Sequence, residues 1–229
     1  MAARAAAAGT VVPTPRGDAR VWLDRPASEP AGLLVLGHGA GGGVTAPDLL
    51  AVRDAGVAAG LVVARMEQPY RVAGRRSPAP AAALDEAWVV AVGWLRARRQ
   101  RGVRLGALPL LVGGRSSGAR VACRTAARVG AVGVVALAFP VHPPGHPDKS
   151  RLPELALPTV PVLVVQGDRD PFGMPPPAPG RTLRVVPGGD HSLRAARAVK
   201  AAVADWLPGL LRKASPTRPA GSLTGAEPG

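Results

Sequence analysis

The sequence predicts an α/β fold in which a mostly parallel sheet is covered by helices on both faces. Five short runs, Leu33–Leu36, Leu61–Ala64, Leu108–Val112, Val132–Phe139 and Val160–Val165, are apolar almost throughout instead of alternating. A strand that is apolar on both sides must be covered on both sides. Segments with helical patterning lie between these runs, and strands that alternate with helices pair in parallel through crossovers. The chain has 229 residues, 47% of them hydrophobic, enough to bury one substantial core.

Residues 1–18 read as a disordered N-terminus, and Ala19–Leu23 as a short leading strand. The run at Leu33 is the first buried strand. Pro47–Ala59 is patterned as a helix, and the run at Leu61 is the next strand. Ala81–Arg99 reads as a second helix, because Leu84, Trp88, Val92 and Leu95 recur at helical spacing and form one apolar stripe. The run at Leu108, the helix pattern Ser117–Val129 and the runs at Val132 and Val160 then follow in order. Leu183, Arg184 and Val185 suggest a final, more exposed strand, and Ser192–Leu207 the closing helix. From Lys213 onward Pro, Gly, Ser and Thr dominate, the composition of a disordered tail. One domain over residues 19–212 is expected, with about six to seven strands. No internal repeat is visible.

The formal net charge of +14 raises the question of nucleic-acid binding, since basic side chains that neutralise phosphates release counterions. Distribution argues against it. Arginines are scattered through nearly every segment, only three of the 29 basic residues are lysines, and Ala, Gly and Pro abound, as a GC-rich coding sequence would give. The one dense cluster, Arg96, Arg98, Arg99, Arg101 and Arg104, falls at the end of the second helix pattern, where cations complement the helix dipole. An aromatic content of 3% offers few stacking platforms for bases. The longest apolar stretch, Val129–Val141, is broken by glycines and a proline and falls short of the roughly 18 to 20 residues a membrane span needs. The first residues lack the leucine-rich core of a secretory signal. Cys123 has no second cysteine to pair with, which fits a reducing compartment. The expectation is a cytoplasmic protein with neither a nucleic-acid nor a membrane partner.

Chemistry gathers at the carboxyl ends of the strands in an open parallel sheet. After the run at Leu108 comes Gly113-Gly114-Arg115-Ser116-Ser117-Gly118, a GxSxG pentapeptide between strand and helix signals. That context makes Ser116 a candidate nucleophile, held on a sharp turn that only small residues two places either side allow. Gly114 and Gly118 meet this demand; with Ser117 as nucleophile, Arg115 and Ala119 would stand there instead. The loop after the run at Leu33, Gly37-His38-Gly39-Ala40-Gly41-Gly42-Gly43, is a glycine-rich turn whose backbone N–H groups can face a ligand. It reads either as a phosphate loop or, in serine-hydrolase geometry, as half of an oxyanion hole. In the second case the N–H of Ala40, flanked by Gly39 and Gly41, joins that of Ser117. The Gly-Lys-Ser/Thr ending of a nucleotide P-loop is absent.

Gln166-Gly167-Asp168-Arg169-Asp170-Pro171-Phe172-Gly173 follows the run at Val160 and offers two carboxylates. Asp170 is the preferred acid, because the intervening residues let the chain turn back, whereas Asp168 is placed to brace the loop. Pro187-Gly188-Gly189-Asp190-His191-Ser192 puts His191 in a tight loop before the last helix, as a candidate general base. Nucleophile, acid and base thus occur in the order Ser116, Asp170, His191, one of the known chain orders of a Ser-His-Asp triad. His142 and His146 lie in a proline-rich loop that cannot place both on one helix face, and no third ligand is near in sequence, so no metal is expected. His142 is expected near the substrate in the pocket wall. Cys123 is expected to be a buried, inert packing residue.

Together these motifs resemble the α/β-hydrolase superfamily over Gly32 to about Leu207. They are most similar to small bacterial hydrolases related to a testis-expressed human protein and to a subunit of the nonspecific-lethal chromatin complex, and more distantly to dienelactone hydrolase. The resemblance implies an α/β-hydrolase fold with a triad at Ser116, Asp170 and His191 and no cofactor. The 20 residues from Pro140 to Thr159 leave no room for a large cap domain. The expected activity is hydrolysis of a carboxylic ester or thioester of a small acyl compound through an acyl-enzyme. Acyltransfer and peptide cleavage use the same triad. The alternative is a non-catalytic interaction module on the same scaffold, for which a damaged triad or a filled oxyanion loop would be expected.

Overall fold

A computed structural model describes residues 9–214. Its centre is an eight-stranded sheet in the order β1-β2-β4-β3-β7-β8-β9-β10. The strands are β1 (Thr10–Val12), β2 (Ala19–Asp24), β3 (Gly32–Gly37), β4 (Leu61–Glu67), β7 (Leu110–Arg115), β8 (Gly133–Leu137), β9 (Val162–Gly167) and β10 (Arg181–Val186). β1 and β2 run antiparallel, and every pair from β4 to β10 is parallel. This is the α/β-hydrolase architecture without a large cap: the segment between β8 and β9 carries only the single turn α5 (Leu152–Leu155).

Every residue of β3, β8 and β9 is buried, and successive side chains feed two cores. Leu33, Val35, Val112, Val134 and Val164 pack on one face with Trp88 and Leu95 of α3 (Ala81–Arg96) and with Ala122 and Ala126 of α4 (Ser117–Val129). Leu34, Leu36, Leu111, Val135 and Leu163 pack on the other with Leu49 and Val52 of α1 (Pro47–Ala58) and Val203 and Leu207 of α6 (Ala196–Ala214). The unbroken apolar runs therefore mark the strands with helices on both sides.

Four sequence expectations are corrected. The disordered N-terminus over 1–18 does not hold for residues 9–18: Thr10 pairs with Val21 and Val12 with Ala19, and Val12 is fully buried. A three-residue edge strand is too short to show a pattern, and it supplies the eighth strand beyond the expected six to seven. Residues 1–8 and 215–229, including most of the expected tail, lie outside the described residues, while Lys213 and Ala214 end α6. The second helix stops at Arg96, and a hairpin of β5 (Arg99–Gln100) and β6 (Val103–Arg104) follows. Its turn residues Arg101 and Gly102 both have positive φ, 49° and 79°, as the tightest hairpin turns require. Only Arg96 of the basic cluster thus lies in the last turn of α3. It bonds Val129 O at 3.0 Å, satisfying a carbonyl at the end of α4. The closing helix starts at Ala196 rather than Ser192, because Leu193 has φ 44°, outside helical space. It continues through Pro208. A four-residue turn, α2 (Pro69–Val72), follows β4, and a 3-10 turn (Leu105–Ala107) precedes β7.

Candidate active site

Ser116 occupies the turn between β7 and α4 with φ 52° and ψ −110°, a conformation that costs a non-glycine residue on the order of 1–3 kcal/mol. The surroundings hold it there. Its N–H donates to Leu137 O of β8 at 2.9 Å. A Cβ on Gly114 would lie 2.5 Å from Gly37 O and 2.7 Å from the carbonyl carbon of Gly118. A Cβ on Gly118 would meet the Gly37 carbonyl, with its carbon at 2.5 Å, and His38 O at 2.9 Å. Both glycines of the pentapeptide are thus required by close backbone approach to the end of β3. Ser117, the first residue of α4, carries one of the N–H groups a helix leaves without an internal partner.

Three loops converge on this serine. His191 Nε2 lies 2.9 Å from Ser116 Oγ, and His191 Nδ1 lies 2.9 Å and 3.1 Å from the two carboxylate oxygens of Asp170. A carboxylate beside Nδ1 fixes the proton there and leaves Nε2 free to accept from the serine hydroxyl. The Asp170 side chain is only 1% exposed. It also accepts from the Phe172 N–H at 2.9 Å and from Gln166 Nε2 at 2.9 Å, so its lone pairs are directed. The Phe172 ring stacks on the imidazole, centroids 3.9 Å apart. Gly167 and Gly189 let the two loops touch, because a Cβ at Gly167 would collide with the Gly189 carbonyl. Asp168 is exposed, and of the two carboxylates it is Asp170 that contacts His191.

The glycine-rich loop after β3 is pinned rather than loose. His38, 3% exposed, has Nδ1 at 2.8 Å from Gly39 O and accepts the Gln68 N–H on Nε2 at 3.0 Å. One nitrogen donates and the other accepts, so the ring is neutral, and burial pushes its pKa down. Tyr70 donates its hydroxyl to Ala40 O at 2.9 Å. Gly42 N–H closes a turn on Gly39 O at 3.1 Å.

Arg115 stands between this loop and the loop of His191. Its Nη2 donates to His191 O at 2.8 Å, and a Cβ on Gly39 would lie 3.2 Å from Nη1. Its Nε stands 3.0 Å from Asp48 Oδ2, a close charge contact not aligned as a hydrogen bond. Asp48, in the first turn of α1, is fully buried. Burial pushes its carboxyl up to about 6 despite the opposing pull of Arg115.

His142 sits on the acid loop. Its N–H bonds Phe172 O at 3.1 Å, and its ring covers Gly173, where a Cβ would lie 2.7 Å from Nε2. Cys123 is buried within α4. Sequence reasoning missed Arg115, which entered only as a steric objection to Ser117, and with it Asp48, Tyr70, Gln166 and Phe172. The last two lie inside the quoted acid motif, whereas nothing local marks Asp48 or Tyr70. Among the described residues no helix is long and apolar enough to cross a membrane.

Comparison with known proteins bears on the fold and the family. No curated protein sequence matches the chain. Among solved structures it is similar to an α/β serine hydrolase homologue from Coxiella burnetii, at 17% identity and TM-score 0.67 over 93% of this chain and 100% of that one. It is also similar to an α/β serine hydrolase without a lid from Xanthomonas campestris, at 20% identity and TM-score 0.66 over 88% and 95%. Dienelactone hydrolase from Anabaena variabilis shows 18% identity and TM-score 0.64 over 88% and 96%. At these identities the likeness is one of fold. The family model for the alpha/beta hydrolase domain matches residues 30–214, a span that holds Ser116, Asp170 and His191, and the chain belongs to that family.

Proposed function

We propose that the protein is a serine-dependent acyl hydrolase that cleaves a carboxylic ester or thioester of a small acyl compound, without a cofactor, in the cytoplasm. The observation that carries this reading is the unbroken series from Ser116 Oγ through His191 to Asp170, each contact at 2.9 Å. In the first step Oγ attacks the acyl carbon while Nε2 takes its proton. The tetrahedral intermediate collapses as His191 returns that proton to the leaving oxygen or sulfur, and water then releases the acyl group by the same route. Asp170 keeps the ring oriented and stabilises its cation. The N–H of Ala40, flanked by Gly39 and Gly41, and the N–H of Ser117 at the start of α4 receive the oxyanion, each donor contributing roughly 3 kcal/mol. His142 lines the pocket wall beside the acid loop. Within the superfamily we place the chain with the small bacterial hydrolases related to the testis-expressed protein, on the motifs around His38, Ser116, His142 and Asp170.

A fluorophosphonate probe tests the reading. The wild-type protein becomes labelled and Ser116→Ala does not, and turnover of a nitrophenyl ester falls by roughly 10⁴-fold or more in the variant. A native protein that resists the probe and hydrolyses no ester overturns it.

A further inference from the structure

Arg115 is the residue before the nucleophile, and its backbone is fixed by the same elbow: it ends β7 and pairs in register with Leu137 of β8. Its guanidinium reaches two other segments. Nη2 donates to His191 O at 2.8 Å, and Nε stands 3.0 Å from Asp48 Oδ2 in the first turn of α1. Nη1 lies against the glycine-rich loop, where a Cβ on Gly39 or Gly42 would stand 3.2 Å or 3.5 Å away. Asp48 is itself fastened, because its Oδ1 accepts the Leu49 N–H at 2.9 Å.

Asp170 and the Phe172 ring grip the imidazole from the loop after β9, and they set the direction in which it points. How far the histidine stands from the serine is a separate matter, because His191 follows β10, the outermost strand on its side of the sheet. The Arg115 bond spans that gap by a short route: one end is covalently next to Ser116, and the other is the main chain of His191. A guanidinium alone at this place would oppose the positive charge that His191 gains when it takes the serine proton. The Asp48 carboxylate offsets it, which gives a reason for a fully buried acid in the first turn of α1. Resting on the serine-hydrolase reading, we infer that Arg115, held by Asp48, is a positioning residue that keeps the His191 imidazole at hydrogen-bonding distance from Ser116 without touching the reacting atoms. Its loss lets the base loop retreat, and a displacement near 1 Å costs about 100-fold in rate.

Steady-state kinetics with nitrophenyl acetate test this on the whole protein in Arg115→Met and Arg115→Lys, with folding checked by circular dichroism. Methionine keeps much of the apolar stem and removes every donor. The Asp48 carboxyl already titrates at about 6 beside the guanidinium and rises further without it, so the acid takes up a proton instead of standing as a lone buried charge. In Arg115→Met kcat is expected to fall about 100-fold with KM within about 2-fold, the split of a group that acts on the transition state through His191. Lysine keeps the charge, but one ammonium cannot hold both His191 O and Asp48 at the spacing of the guanidinium. Its kcat is therefore expected to recover only to about 10-fold below wild type, and this variant decides the matter if the methionine one does not fold. A folded variant of either kind with wild-type kcat, or with a loss confined to KM, overturns the positioning role while the serine-hydrolase reading stands. A wild-type protein that hydrolyses no ester and resists a fluorophosphonate overturns that reading and the positioning role with it.

Discussion

Gly118→Ala separates a glycine needed for close approach from one that is merely tolerated in a helix. The added Cβ would stand 2.5 Å from the Gly37 carbonyl carbon, where ordinary contact begins at 3.4 Å, so backbone must retreat by 0.9 Å. Neither neighbour yields easily, since Gly37 ends a buried strand paired on both sides and His38 is pinned through its ring. A forced overlap of this kind costs about 3 kcal/mol, the upper part of the range for overpacking. In a domain of this size that lowers Tm by about 6–12 °C. A displacement near 1 Å at the elbow also costs about 100-fold in turnover. Gly93→Ala is the control. Gly93 lies in α3 with open space where the Cβ would go, so the same change stabilises by about 0.5–1 kcal/mol. Thermal unfolding and ester hydrolysis on both variants decide the matter. A Gly118→Ala protein with wild-type Tm and turnover would refute the close-packing account of the elbow.

Asp48 gives a pH signature of defined sign. Its carboxyl ordinarily titrates at 3.8 and here at about 6, so the folded protein binds the extra proton, and stability from this group is lost as pH rises from 4 through 6. The loss is roughly 3 kcal/mol. The stability difference between wild type and Asp48→Asn, measured by urea unfolding from pH 4 to 8, is therefore expected to shift against the wild type as pH rises; a difference that is flat or moves the other way contradicts this. Cys123, pushed up to about 12 mainly by burial, is expected to react with a thiol reagent only after denaturation, and rapid modification of the native protein would count against its placement in α4.

Much of the fold was legible because it rests on apolar runs that burial on both faces imposes, and α4 was legible over its full span, Ser117–Val129. The short elements were not. β1 carries a single buried residue and the β5–β6 hairpin is only two residues to a side, too little for any period to show. Ser116, Asp170 and His191, which the structure brings into contact, were readable because each follows a strand and because their chain order is that of this fold. Asp48 and Tyr70 were not, since their meaning comes from partners on other loops: a guanidinium in one case, a carbonyl in the other. Nor does the composition of the glycine-rich loop show that His38 and Tyr70 fasten it.

The position of β10 bears on how activity fails. It is the outermost strand on its side of the sheet, paired only with β9 and half exposed along its length, and the chain passes directly from it to the imidazole. Edge elements of this kind open first in local fluctuations. Fraying there would carry the imidazole of His191 away from Ser116 while the buried interior survives, so on the proposed mechanism inactivation by heat or denaturant is expected to precede global collapse, with the working lifetime of the protein set at its margin.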